Sequence, residues 1–453
     1  MNEVMDTRTY ELSDLDKGGF TKTVKAVLFY DLQAATVEPE SVVSSLLEGV
    51  KHATRQLVPF MAGHLEFKES KRLCIVTSPN STVEVSVRRY TGTECEPFHD
   101  LAQDSFSPSK LDLTHFLPKD PIAKHPVCLI QISLIQGGLA VGFRVDHAAG
   151  DWVSLSTFIS LVCQSSKAHR EGLDMPTYTP DLKRDPYNAP ALDSTISQQD
   201  RLAQLPLFHI IEKSKFQFQP PPPIRAGIYR ITEPTIQQLK ARCTPHLDQV
   251  EYITSYDCIS ALLWRALTRA RLHIHPDQVN TPSRFVHPID VRSRDPEHKT
   301  SLQYFGNAVI GTLAGPVPAT TLISTGDRGL AAAATKIRQS IQAVDISKIE
   351  HLTALQTSLA DTEMLIPNAD FAGMDLFMNT WYAGSAAKYD LGAATRPVAF
   401  RVQAGVPGAC AIILPDLSES DTRVFEVFVQ APEKEYEALV RDVDFIICFE
   451  QVA

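Results

Sequence analysis

The chain reads as a mixed α/β protein in two similar-sized halves, and three observations carry that expectation. Apolar runs with strand character alternate with segments of helical period from end to end. The length of 453 residues exceeds what one hydrophobic core usually serves, so two domains are the prior. From about 170 to 225 the composition turns to proline and polar residues and ends in the unbroken proline run 220–223, which stays extended as a stiff crossover would. The expected division is 1–180, a proline-rich linker at 181–225, and 226–453, with a site between the halves.

Taken in order, KTVKAVLFYDL (22–32) and STVEVSVRRY (81–90) read as strands. Between them, 41–58 has the i, i+3, i+4 apolar spacing of a helix opened by Ser41. VCLIQISLI and GGLAVGFRV, separated by Gln136, form a predicted hairpin, and a helical period resumes over 154–168. The second half repeats the mixture: the strand GIYRIT, a helix from 255, the strand 284–290, a helix from 329, strands at 375–381, 410–415 and 423–430, and a closing helix from 433. No short-period repeat appears.

A net charge of −10 and a pI near 5.8 argue against a nucleic-acid binder, which shows a basic face, and a polyanionic substrate would need a local basic patch. Eight cysteines are scattered without a CxxC pair, several of them in apolar runs, which points to buried reduced thiols and not to zinc. The first residues are polar and acidic, unlike a signal peptide, and no apolar run approaches the roughly 20 residues that span a membrane. The expected address is the cytoplasm, with no metal and no membrane partner.

His147 and Asp151, in GGLAVGFRVDHAAGDWVS, stand four residues apart just beyond an apolar strand. The spacing alone is a weak signal: fourteen histidines, each meeting an aspartate four positions on at roughly 5%, give about one match by chance. His273 and Asp277 are such a match, in a segment containing Pro276 that reads as a surface turn. At His147 the preceding strand carries glycines where a backbone or ligand comes close, and Ala148, Ala149 and Gly150 leave space beside the ring. A neutral imidazole there suits a general base for a hydroxyl. Asp151 either orients the imidazole or locks the loop through a distant cation, and spacing does not choose between these.

Five segments taken together resemble the BAHD-type acyl-CoA-dependent acyltransferases in order and approximate spacing: 57–66 (LVPFMAGHLE), 136–151, 255–271, DVRSR with YFGN (290–294 and 304–307), and 379–392 (NTWYAGSAAKYDLG). The overall look is similar to fungal secondary-metabolism members such as the trichothecene acetyltransferases. The resemblance implies two chloramphenicol-acetyltransferase-like domains with a solvent channel between them. It implies His147 as the base that deprotonates an acceptor hydroxyl or amine attacking an acyl-CoA thioester, acetyl-CoA above all, with no tightly bound cofactor and a monomeric enzyme. Asp151 matches a family aspartate that pairs with an arginine, here Arg292, as structural support. Asn379, Thr380 and Trp381 match a segment lining the site near the thioester oxygen, and Asn307 is expected to brace backbone near the channel.

For coenzyme A the resemblance implies contacts from Lys240, Thr254, Ser255 and Asp257 at a helix start, where free N–H groups favour phosphates, although Ser255 serves equally as a helix cap and Asp257 as an acidic residue that favours a helix N-terminus. Gly392 belongs to a last motif in which the family's DFGWG is reduced to Asp390, Leu391 and Gly392, followed by Ala393, Ala394 and Thr395. A second departure is Trp152, where the family usually has glycine; it either narrows the channel or fills the core. The function expected is O- or N-acyl transfer to a natural-product acceptor. Two alternatives are a carrier-protein-dependent condensation enzyme and a channel protein that binds or cyclises a hydrophobic metabolite.

Overall fold

The computed structural model describes all residues except 1–6, 20–21, 70, 122–124, 194, 218–219, 295–300, 383–385, 394 and 419–421. Ala394 and residues 383–385 of the last two motifs therefore lie outside the described residues. In the first part of the chain come α1 (Asp14–Lys17), β1 (Thr23–Asp31), α2 (Pro39–His52), β2 (Glu84–Arg89), β3 (Cys128–Ile135), β4 (Gly138–Asp146) and α3 (Trp152–Glu171). After the crossover come β5 (Ile224–Thr232), α4 (Glu233–Cys243), α5 (Ser255–Ile274), β6 (Pro282–Asp290), β7 (Val309–Pro318), α6 (Arg328–Gln342), β8 (Leu376–Thr380), β9 (Pro397–Val402), β10 (Cys410–Ile413), β11 (Val424–Pro432) and β12 (Glu450–Gln451).

The first sheet runs β9-β1-β4-β3-β2 and the second β7-β6-β8-β10-β11-β5-β12, both of mixed direction. Every residue of β3 and β4 is buried, which explains why both read as continuous apolar runs and not as alternations. On β1 the pleat divides the side chains: Ala26, Leu28 and Tyr30 enter the main core under α2 and α3, while Val27 and Phe29 pack with Phe98, Phe106 and Phe116 on the opposite face. The predicted hairpin forms with Ile135 opposite Gly138.

The second sheet is a wall between two cores. On successive positions Ile228 and Tyr229, Ile412 and Ile413, and Phe428 and Val429 point alternately into the first-half core and into the core around α5. Two expectations change. The helix predicted to open at Ser41 starts at Pro39, whose missing N–H is one that a helix start leaves unbonded in any case. The crossover is not simply extended: it contains a helix at Gln198–Ala203 and a strand at Phe208–Glu212 paired with Glu363–Pro367, because Leu205, Phe208 and Ile210 join an apolar cluster with Val291, Ile310 and Leu355.

The expected division of the chain is crossed by one strand. β9, from the late part of the sequence, leaves the second half and pairs with β1 at the edge of the first sheet. Buried Arg401 anchors it: Nε donates to the carbonyl of Phe106 at 2.8 Å, Nη2 to that of Ser105 at 2.6 Å, and Nη1 lies 3.5 Å from Glu426 on β11. The carbonyl acceptors belong to two residues in left-handed backbone, with φ of 51° and 52°, so the guanidinium ties this turn to β9. Among the described residues no helix is long and apolar enough to cross a membrane.

Arg401→Ala removes the donor from the buried carbonyl of Phe106 and the part-buried one of Ser105 and is expected to lower stability by about 2–4 kcal/mol, read as a lower urea midpoint for unfolding.

Candidate active site

β1 and β4 pair along their whole lengths, and this register delivers His147. Thr23 lies opposite Asp146, and one position further on the N–H of His147 donates to the carbonyl of Lys22 at 2.7 Å. The chain then turns through one 3-10 turn, His147–Ala149, capped by the Asp146 carboxylate accepting from Ala148 N–H. The imidazole is half-buried, and its Nδ1 is buried without a hydrogen-bond partner among the described residues.

Asp151 does not orient that ring. It is the N-cap of α3, accepting from Ser154 N–H at 3.2 Å, and its carboxylate forms a two-pronged pair with Arg292, at 3.0 Å from Nη2 to Oδ1 and 2.8 Å from Nη1 to Oδ2. Oδ2 also accepts from the N–H of Ala308. Burial opposes the Arg292 charge, but the Asp151 carboxylate, its hydrogen bonds and Asp290 outweigh it and hold the guanidinium protonated more firmly than usual. Of the two roles left open by spacing, the geometry gives the brace, with a bidentate geometry that lysine could not supply.

Between Asp151 and Arg292 lies the segment 304–308. The carbonyl of Gly306 accepts from Arg292 Nη2 at 3.1 Å, Ser154 Oγ at 3.0 Å and Asp151 N–H at 3.3 Å. A Cβ at 306 would fall 2.0 Å from Arg184 Nη1, so a side chain there would displace the guanidinium from its bonds to Tyr304 and Phe305. Asn307 braces backbone as expected: its Nδ2 donates to the carbonyl of His147 at 2.7 Å. It also donates to Asp16, a residue that sequence reasoning missed. Fully buried on α1, Asp16 accepts on Oδ1 from the N–H and Nδ2 of Asn307, and on Oδ2 from Ser13 N–H, with Arg184 Nη1 at 3.3 Å. The signal was present, because Ser13-x-x-Asp16 is a capping-box pattern, but such a pattern names no partner 291 positions away.

Trp381 follows β8 and reaches the same region. Its ring stacks on Trp152 at 4.6 Å and 9° between planes, Phe400 of β9 packs edge-on to both, and Trp152 Nε1 donates to the Trp381 carbonyl at 2.9 Å. Trp152 thus fills the seam between the halves. Asn379 is half-buried two positions earlier, with Oδ1 accepting from the N–H of Thr380.

The residues expected to meet coenzyme A sit around the start of α5 and beside the end of α3. The cap of α5 is Thr254 and not Ser255, in a capping box with Asp257. Asp257 is fully buried, and its Oδ2 is paired with Arg338, which also donates to Thr254 Oγ1. Ser255 Oγ accepts from Lys240 Nζ at 3.2 Å, and both side chains are half-buried. Gly392, with φ of +90°, is walled in by Glu171 and Lys167 in the last turn of α3. The helix begins at the Asp151 loop, so its rise sets Gly392 more than about 20 Å from His147. Asp390 pairs with Lys167 there, which is an architectural role. His273 and Asp277 are both exposed.

Near α5, His287 is fully buried, with Tyr256 hydroxyl at 3.0 Å from Nδ1 and Ser340 hydroxyl at 2.9 Å from Nε2. Burial, aided by Arg338 and Arg294, pushes its pKa from 6.5 down to about 3.

Two outcomes follow from these arrangements. Asp151→Ala or Arg292→Ala alone removes one member of a buried, hydrogen-bonded pair and costs about 3–5 kcal/mol, while the double variant costs less than the sum by at least about 1 kcal/mol in thermal unfolding. His287 stays neutral in the folded state, so between about pH 3 and 6.5 the unfolded chain binds the extra proton and stability falls as pH drops through that window. His287→Gln should flatten this part of the stability curve, measured by denaturant unfolding at successive pH values.

A family model described as the Transferase family matches residues 2–446. Among curated proteins, the chain is 24% identical to trichothecene 3-O-acetyltransferase TRI101 of Fusarium sporotrichioides, over 56% of this chain and 56% of that enzyme. It is 23% identical to acyltransferase cm3D of Cordyceps militaris, over 81% of each. The fold matches that of F. sporotrichioides TRI101, solved in complex with coenzyme A and T-2, with a TM-score of 0.79 and 16% identity over 98% of this chain and all of that one. With the family model covering almost the whole length, the chain belongs to the Transferase family and is a BAHD-type acyltransferase.

Proposed function

We propose that this enzyme transfers an acyl group, acetyl in the first instance, from acyl-CoA to a hydroxyl of a small natural product, with His147 as general base. The observation that carries the proposal is the state of His147. It is held at a strand end by its main chain, its neighbour Asp151 is occupied by Arg292, Ser154 and Ala308, and its ring is left to the reaction. The names of the similar proteins support the donor and acceptor classes, since one is a 3-O-acetyltransferase and its solved form holds coenzyme A with a small-molecule toxin.

In this reading donor and acceptor meet at His147 in one ternary complex. The imidazole takes the hydroxyl proton as the oxygen attacks the thioester carbonyl carbon. The tetrahedral intermediate collapses by breaking the carbon–sulfur bond, and the departing thiolate recovers the proton from the same ring. No acyl-enzyme is needed, because holding both reactants together supplies much of the rate. Asn379 and Trp381 are placed on the side of the developing oxyanion in this proposal, where losing a donor costs about 3–4 kcal/mol. Lys240, Thr254 and Ser255 are proposed for the phosphates of coenzyme A, without Asp257.

The test is mass spectrometry of acceptor mixtures, including T-2 toxin, incubated with the protein and a panel of acyl-CoAs. His147→Ala is expected to lower the rate at least about 100-fold. The same acylated product formed by that variant at full rate overturns the proposal.

A further inference from the structure

A general-base histidine is commonly oriented through its second ring nitrogen, by a carboxylate or a carbonyl. Here the carboxylate four residues away serves Arg292, Ser154 and Ala308, and His147 Nδ1 makes no hydrogen bond to the described residues. We propose that His147 is aimed through its main chain, by a relay from Asp16 through Asn307, so that these two act as positioning residues of the reaction. The inference rests on the reading of His147 as the base.

Both peptide groups of His147 are pinned. Its N–H donates to Lys22 at 2.7 Å and its carbonyl accepts from Asn307 Nδ2 at 2.7 Å. Fixing the two flanking peptide planes fixes φ and ψ, and with them the direction of the Cα–Cβ bond, which leaves only the two side-chain torsions to packing. Asn307 is itself held in one orientation. Asp16 Oδ1 accepts from both its N–H, at 2.7 Å, and its Nδ2, at 3.1 Å. Because Nδ2 faces two acceptors, turning the amide over would aim its oxygen at a carboxylate and a carbonyl together. Asp16 is fixed in turn by Ser13 N–H and Arg184. On the remaining side Gly19 lies against the same carbonyl, so closely that a Cβ there would sit 2.6 Å from its carbon and oxygen. Residues 13–19, 147 and 307 therefore clamp one peptide group, and a displacement of about 1 Å at a reacting group can cost 100-fold in rate.

The experiment compares Asp16→Asn, Asn307→Ala and Gly19→Ala with His147→Ala. Acetyl-CoA is the donor and T-2 toxin the probe acceptor, and release of free thiol counts transfer to either T-2 or water. Asn307→Ala removes the donor, Asp16→Asn places an amide where the charged acceptor was, and Gly19→Ala pushes the carbonyl from the opposite side without altering either residue. The expected result is a fall in kcat of about 10- to 100-fold in each, with KM for acetyl-CoA within about 2-fold of the parent. A merely structural role would lower the yield of folded protein and leave kcat per folded site unchanged. Should Asp16→Asn fail to fold, Gly19→Ala and Asn307→Ala carry the decision. If His147→Ala keeps full activity, the base assignment falls and the relay with it. If His147→Ala is inactive while Asn307→Ala and Gly19→Ala keep kcat within 2-fold, or lose only KM, the relay is overturned and the base stands.

Discussion

The pair between Asp151 and Arg292 is the constraint on which the rest of the site depends. Both groups are buried, and two charges removed from water are tolerated only when their attraction is joined by complete hydrogen bonding. That condition is met by Ser154, the main chain of 304–308 and the carbonyl of Gly306, so the same bonds that neutralise the charges also shape the loop. One member caps a helix that follows the first sheet and the other follows a strand of the second, so the pair ties the two halves together beside the loop of His147.

The second sheet gives this interaction a rigid surrounding. Its strands send alternate side chains into the two cores, so neither half has an interior that is complete without it. The stacked Trp152 and Trp381, with Phe400 against both, fill the seam next to the site with large rings of defined geometry. This accounts for the indole at a position where the resemblance leads one to expect glycine: the space it enters is occupied by partners from β9 and from the residue after β8.

What could be read from the chain divides along physical lines. Continuous apolar runs placed the hairpin before His147, and helical pattern placed the long helix from residue 255, because burial at each is set by local sequence. Motif order separated His147 from the exposed match at His273, which spacing alone could not do. For Asp257 the chain left a helix-terminus role and a phosphate-site role side by side, and its pairing with Arg338, from a distant helix, could not be read from local pattern. Asp16 stayed hidden for the same reason: its meaning lies in Asn307 and Arg184, and long-range pairing leaves no trace in local pattern. The structured crossover was missed because its helix and strand are short and depend on tertiary cover.

The exchange of β9 into the first sheet also has a consequence for the making of the molecule. During synthesis β1 emerges early, yet the strand that covers its free edge is translated near the end of the chain. Until then the first half carries an open row of backbone donors and acceptors, and its core lacks Phe400, Val402, Ile412 and Phe428. The first half is thus an unfinished body while it leaves the ribosome. Completion of the fold is an event of the whole chain, with the slow long-range closure and the exposure to aggregation that such topology brings.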